Sequence, residues 1–451
     1  MRRFSIVTVL SWSFLLALVA TAAAGTTVVG NGDATVLDNR SPKARALTGT
    51  VVASETHWHD GRIVTTARVR ADDGSELELS QIGGTIGELT TIQIPGQPIA
   101  RTHDQVTLLV EDAHDKRDGG QPRVLEVLWV TAGESQKNPV SRTPENQRKF
   151  VRTTNDRNVP LYWNYNCVHI TYDSAGTTDL DGDTEFQVMD SVFQTWRDTT
   201  ASCSYLTFVI EESAPVELAL DRVNIVKFLE EEWGPVGCTT NSAVPCYHPD
   251  AAAITTVSFI NSAGQERSGE IVDADIEFNG VHFAISDQDV TNAPPQLCKS
   301  DLANTLTHEV GHLMGLDHTC VGAGFSPGFD PDGNPKPWPQ DHNGEDVPFC
   351  GAGNPPEVRD STMNAFQNCG ETAKASPEQD DIDAVCAVYP GAEDPGTCRI
   401  PDSTSGRRTC ACRLGTAGND SPVSPLLPMA LLAAALLWRQ RRRQTTSPEI
   451  A

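Results

Sequence analysis

The stretch from Asp301 to Thr319 constrains this chain more than any other. It holds His308-Glu309-Val310-Gly311-His312, then two residues, Gly315, two more residues, and His318. The residues before it, Asp301-Leu302-Ala303-Asn304-Thr305-Leu306, open as a helix with an Asp near its start. On that helix His308 and His312 stand four apart, so both imidazoles project from one face and can bind a single zinc ion. Gly315 lets the chain leave the helix in a conformation that a Cβ penalises, and His318 swings back as the third ligand. Three protein ligands leave a fourth tetrahedral position for water, the pattern of a catalytic rather than a closed structural zinc. Glu309, next to the first ligand, suits the general base for that water. Chance placement of five such residue types has odds of about one in a few million per starting position, so a core helix with coincidental histidines is set aside.

At these residues the chain resembles the metzincin metallopeptidases, and its details resemble the matrixin branch. The residue after the third His is Thr319, close to the Ser usual there. The resemblance implies a later turn carrying a Met beneath the metal, and Met363 in Asp360-Ser361-Thr362-Met363-Asn364-Ala365-Phe366 is its candidate. No Tyr stands two residues after Met363, unlike the astacin and serralysin patterns. The segment from His318 to Met363 is longer than matrixins show and carries Cys320 and Cys350. Ile271-Val272-Asp273-Ala274-Asp275-Ile276-Glu277-Phe278 alternates, with Ala274, Ile276 and Phe278 expected inward and the carboxylates outward. It resembles the strand bordering the matrixin cleft, which implies that Asp273, Ala274, Asp275 and Ile276 hold an extended substrate by strand addition. Asp273 and Asp275 are alternatively ligands of a structural cation, or simply solvated.

Charge and export narrow the compartment. The formal net charge is −26, which excludes nucleic acid as an expected partner. Residues 1–24 read as a secretory signal: Arg2 and Arg3, an apolar run, then Ala22-Ala23-Ala24 before Gly25. Export implies an oxidising compartment, so the twelve cysteines are disulfide candidates. Cys238–Cys246 and Cys167–Cys203 are the expected pairs, although spacing alone leaves connectivity open.

From about Leu47 to Val130 short β-branched runs are punctuated by Asp60-Gly61, Asp73-Gly74, Gly83-Gly84 and Gly119-Gly120. Residues 25–138 are therefore expected to form a small all-β barrel or sandwich, either a prosegment or an accessory domain. This segment has no cysteine, so it lacks the thiol that keeps animal matrixins latent. His57-Trp58-His59 is read as ordinary loop sequence rather than as metal ligands. Residues 139–158 are polar and contain Pro, a linker.

The catalytic unit is expected over 159–392. Leu161-Tyr162-Trp163 and Val168–Tyr172 read as its first strand, Glu185–Trp196 as a helix with apolar positions at 188, 189, 192, 193 and 196, and Leu206–Ile210 as a strand. Ser376–Tyr389 opens with a capping pattern and continues as a last helix. Asp181-Gly182-Asp183 and Asp330-Pro331-Asp332-Gly333-Asn334 are oxygen-rich turns: candidates for Ca2+, and equally explained by turn chemistry.

Residues 393–424 form a second linker containing Cys410 and Cys412. An apolar stretch and arginine cluster follow over 425–443. The apolar part is short for a full span, which needs about 20 residues. The arrangement resembles the C-terminal sorting signal of myxobacterial surface proteins, which implies processing near Cys412 or Cys410. A plain membrane anchor is the alternative.

The expectation is thus an α+β, metzincin-like, monomeric zinc endopeptidase, secreted or displayed at the cell surface, acting on protein or peptide substrates. Its tail would engage the membrane and a processing enzyme. The rival expectation is a surface adhesin on a catalytically idle peptidase fold.

Overall fold

The protein is described here by a computed structural model covering residues 28–29, 44–94, 99–111, 123–131, 150–238, 246–262 and 267–398, the last with gaps between 322 and 336. The signal segment 1–24, Asp330–Gly333, Cys410, Cys412 and the apolar tail lie outside the described residues.

Seven strands make the main sheet, in the spatial order Thr207–Ile210, Cys167–Tyr172, Asn224–Leu229, Ile271–Asn279, Ala253–Ile260, Leu89–Ile94, Gly84–Ile86. The first four run parallel. Ala253–Ile260 is antiparallel to Ile271–Asn279, and the last two strands continue that antiparallel edge. The helix Thr184–Thr200 joins the two outermost parallel strands and buries Met189, Val192, Phe193 and Trp196, positions three or four apart that share one helix face. That face meets the helix Leu302–Leu313 and the sheet in a single apolar core with Val168, Ile170, Ala274, Ile276, Leu306 and Val310. The last helix, Gln379–Val388, starts on a reciprocal cap between Glu378 and Asp381 and adds Ala384 and Val385 to the core.

A second sheet is wholly antiparallel, in the order Glu76–Ile82, Arg62–Ala71, Ala44–His59, Gln105–Glu111, Arg123–Thr131. Where a barrel or sandwich is expected, the described residues form one curled sheet with its own core of Val51, Val69, Leu77, Leu79 and Leu108. A register shift between Val51 and Ala53 breaks the ladder of the long strand, and such a bulge bends a strand and raises its twist. Asp60 and Gly61 both have positive φ, 45° and 77°, the geometry of a tight hairpin turn. His57 and His59 therefore end a strand rather than lie in a loop.

Four expectations need correction. First, the β-segment is not self-contained: the hairpin Gly84–Ile94 leaves the curled sheet and extends the main one. Second, the linker expected up to 158 is ordered from Phe150. Val151–Arg152 pairs with Leu316–Asp317, and Thr153 and Asn155 are buried because their polar groups are satisfied by Leu316 O and Ser268 Oγ. Third, Ile271–Asn279 is an interior strand, buried at all nine positions. Its carboxylates face a protein layer rather than solvent. Fourth, Cys167 pairs with Cys398 rather than Cys203, which pairs with Cys386; the sheet and last helix bring together cysteines far apart in sequence.

Cys238–Cys246 forms as expected, and Cys298–Cys369 and Cys320–Cys350 complete five disulfides among the described residues. This density fits an extracellular protein. Among the described residues no helix is long and apolar enough to cross a membrane.

Candidate metal centre

The site is built from the end of one helix and the two loops that follow it. Asp301 caps Leu302–Leu313 by accepting the Asn304 N–H at 2.9 Å, which satisfies an otherwise orphaned donor of the first turn. His308, Glu309 and His312 lie on the buried side of this helix. The chain then turns at Gly315, whose φ is +85° and whose Cβ would lie 2.8 Å from Leu161 O. Only glycine fits there, and the turn returns His318 to the helix.

The three imidazoles converge. His308 Nε2 lies 3.0 Å from His312 Nε2 and 3.1 Å from His318 Nε2. Their outer nitrogens fix the tautomers: His308 Nδ1 donates to Thr362 O at 2.6 Å and His312 Nδ1 to Leu316 O at 2.9 Å. Each Nε2 of that pair is thereby left with a lone pair, and two lone pairs face each other at contact distance. A cation between them converts this repulsion into ligation, so the donor set fits a metal ion, and its all-imidazole chemistry suits zinc among others. Desolvation holds all three histidines below the usual imidazole range, His312 at about 4. They are therefore neutral at physiological pH.

Below the helix, Met363 is 2% exposed. A Cβ at Gly311 would collide with its sulfur, so the missing side chain at Gly311 is what lets Met363 sit against the helix. The Met turn is tied to the third histidine's loop, because Thr319 N–H donates to Met363 O at 3.0 Å. It is also held from outside: the buried Lys374 ammonium donates to Asn364 O and Phe366 O, and Lys374 N–H donates to Asn304 Oδ1 at 2.7 Å. Burial draws the Lys374 ammonium down to about 8.

Glu309 is fully buried, and Thr255 Oγ1 donates to its Oε2 at 2.6 Å. Thr255 belongs to the strand Ala253–Ile260, so the strand beside the helix orients the carboxylate. Sequence reading missed Thr255, because nothing in a β-branched run marks one hydroxyl as a partner of a residue 54 positions on. It also missed Lys374.

Asp273, Ala274, Asp275 and Ile276 are buried in a strand that has a paired neighbour on each side rather than a free edge. Ala274 and Ile276 join the core. Asp273 accepts the Arg222 N–H at 2.6 Å and Asp275 the Ile225 N–H at 3.2 Å. Desolvation, reinforced for Asp273 by Asp221 and for Asp275 by Asp273, pushes both carboxyls well above the usual range. Asp181 and Asp183 fall in no group of three metal-binding side chains among the described residues. A second His/Cys group does occur, with His169 Nε2 3.5 Å from the sulfurs of both Cys167 and Cys398. Those sulfurs are bonded to each other.

No protein-family profile matches the chain, and no curated protein is similar to it in sequence.

Proposed function

We propose that the protein is an exported zinc-dependent endopeptidase of the metzincin type, closest in arrangement to the matrixin branch. One observation carries the reading: three buried imidazoles whose Nε2 atoms converge, and a buried carboxylate on the helix that carries two of them. The Met363 turn beneath the site supports it.

When bound by Nε2 of His308, His312 and His318, the metal supplies a Lewis acid that polarises water and the scissile carbonyl. Glu309 accepts the proton that the attacking water loses as its oxygen bonds to the carbonyl carbon. The same carboxylate then delivers that proton to the departing nitrogen as the C–N bond breaks, leaving an acid and an amine. Thr255 keeps Glu309 Oε2 aimed while this happens. His308 and His312 stay in the ligating tautomer because Thr362 O and Leu316 O hold their outer N–H groups.

Purification of the chain under oxidising conditions should yield a single zinc ion per molecule, lost in His312→Ala. Casein hydrolysis should stop on chelation and return with zinc. Zinc-loaded, folded protein that leaves casein intact would refute the proposal.

A further inference from the structure

The strand Cys167–Tyr172 carries a second cluster of reactive side chains, apart from the three histidines. Val168, Ile170 and Tyr172 belong to the apolar core shared with Leu306 and Val310, so alternation puts Cys167 and His169 on the opposite face of the sheet. His169 is held by its neighbours on both sides. It pairs with Val209 of one strand, and the Asn224 side-chain amide of the other donates to His169 O at 2.8 Å. Cys398, 231 residues further on, is brought to the same face by its bond to Cys167, and Asn166 N–H donates to Thr397 O at 3.0 Å beside it.

The imidazole is set against both sulfurs at once. His169 Nε2 lies 3.5 Å from Cys167 Sγ and 3.5 Å from Cys398 Sγ, while Nδ1 faces Glu211 Oε1 at 2.5 Å. A carboxylate accepts, so Nδ1 carries a hydrogen and Nε2 is the nitrogen that takes up and releases a proton next to the disulfide. Among the described residues no other disulfide has a histidine nitrogen grouped with both of its sulfurs. Exposure singles out the same bond. Cys398 is exposed and Cys167 is buried, and no other cysteine among the described residues is exposed.

We infer that Cys167–Cys398 is a thiol-exchange site, at which a small thiol from solution becomes joined to Cys398 with His169 as the proton donor to Cys167. The incoming sulfur, as thiolate, reaches only the exposed Cys398 Sγ. As its electron pair forms the new S–S bond, the old bond breaks with its pair on Cys167 Sγ, and the Nε2–H of protonated His169 passes its proton to that sulfur. A thiolate, a disulfide and an imidazolium thus give a mixed disulfide, a thiol and a neutral imidazole, which regains a proton from solvent. Exchange is faster when the departing sulfur bears less charge, and a donor fixed against that sulfur removes the charge as it forms. Glu211 keeps the ring in the tautomer and orientation this requires. The step is reversible, since the Cys167 thiolate can attack the mixed disulfide and expel the small thiol. The inference is independent of the peptidase reading.

The test uses the full chain, purified under oxidising conditions, with 2-mercaptoethanol as the thiol. Samples taken over time are quenched by alkylation and mapped by peptide mass spectrometry, which reads each disulfide separately. The Cys167–Cys398 bond should open at least about tenfold faster than the others, with mercaptoethanol on Cys398 and the new free thiol on Cys167. His169→Gln should slow that bond by at least about tenfold and leave the others at their parent rates. Loosening of the sheet by the substitution would speed the reaction, so a purely structural role moves the rate the other way. Three results overturn the inference: a parent in which this bond opens no faster than the rest, a mixed disulfide on Cys167, or His169→Gln protein that reacts as fast as its parent. If His169→Gln fails to fold, Glu211→Gln replaces it, at a side chain that is 45% exposed. Slowing confined to this bond is then expected, and an unchanged rate overturns the inference.

Discussion

Arg62 offers a quantitative test of how the curled sheet is fastened to the main one. Its Nη2 lies 3.4 Å from Glu277 Oε2 and its Nη1 2.6 Å from the Tyr247 hydroxyl. The Glu277 side chain is 0% exposed and that of Arg62 12%, so water screens this pair little. At 3.4 Å and an effective dielectric of about 20, the Coulomb attraction is about 5 kcal/mol. Arg62→Met leaves the carboxylate with hydroxyl partners only, from Tyr247 at 3.0 and 3.1 Å and Thr256 at 3.5 Å. Stranding a buried charge in this way costs about 3–5 kcal/mol. Removing both charges with Arg62→Met and Glu277→Met should restore most of that loss, because the desolvation penalty disappears with the pair. The double-mutant cycle should therefore show a coupling of at least about 2 kcal/mol. Urea unfolding followed by tryptophan fluorescence, to which Trp233 contributes from 5.0 Å beside the Tyr247 ring, reads it. A single variant within about 1 kcal/mol of the parent, or a double variant as unstable as the single, would refute the reasoning.

Three further outcomes follow from the site and its supports. Thr255→Val should leave zinc content unchanged and lower kcat about tenfold, as the Glu309 carboxylate loses an orienting hydrogen bond worth about 1–1.5 kcal/mol; unchanged kcat would remove Thr255 from the positioning role. Gly315→Ala should destabilise the folded protein by about 1–3 kcal/mol and weaken zinc binding, because it adds a Cβ at positive φ against Leu161 O. Normal stability and affinity would contradict that. Cys203→Ser with Cys386→Ser opens a link of sequence separation 183 between the main helix's exit and the last helix, and should cost about 2–5 kcal/mol in thermal or urea unfolding.

The convergence of the three histidines is legible in the sequence because it depends on one helix and one turn. Four and six residues of spacing suffice to bring three imidazoles together when a helix and a positive-φ glycine do the positioning. The Met363 turn was equally readable from local residues. What failed depended on distant partners. The alternation of Asp273, Asp275 and Glu277 with Ala274, Ile276 and Phe278 looks the same whether the polar face meets water or a second protein layer. Here it meets Arg62 and the backbone amides of Arg222 and Ile225, which local sequence does not announce. The pair Cys167–Cys203 is expected across the first strands, whereas the fold brings Cys398 and Cys386 to them. The Gly83-Gly84 punctuation signalled a turn, but not that the following hairpin changes sheets. Thr153 and Asn155 read as linker because a polar run looks the same in sequence whether exposed or buried. Each is buried with its hydrogen bonds made.

The central claim is that Glu309 acts as base and acid in peptide hydrolysis beside a metal held by three histidines. Glu309→Gln keeps the volume and removes the proton acceptor. With zinc content measured in variant and parent, the account predicts full zinc occupancy, an unchanged fold, and casein hydrolysis reduced by at least about a hundredfold relative to the parent. Zinc-loaded Glu309→Gln protein that cleaves casein as fast as its parent would contradict it.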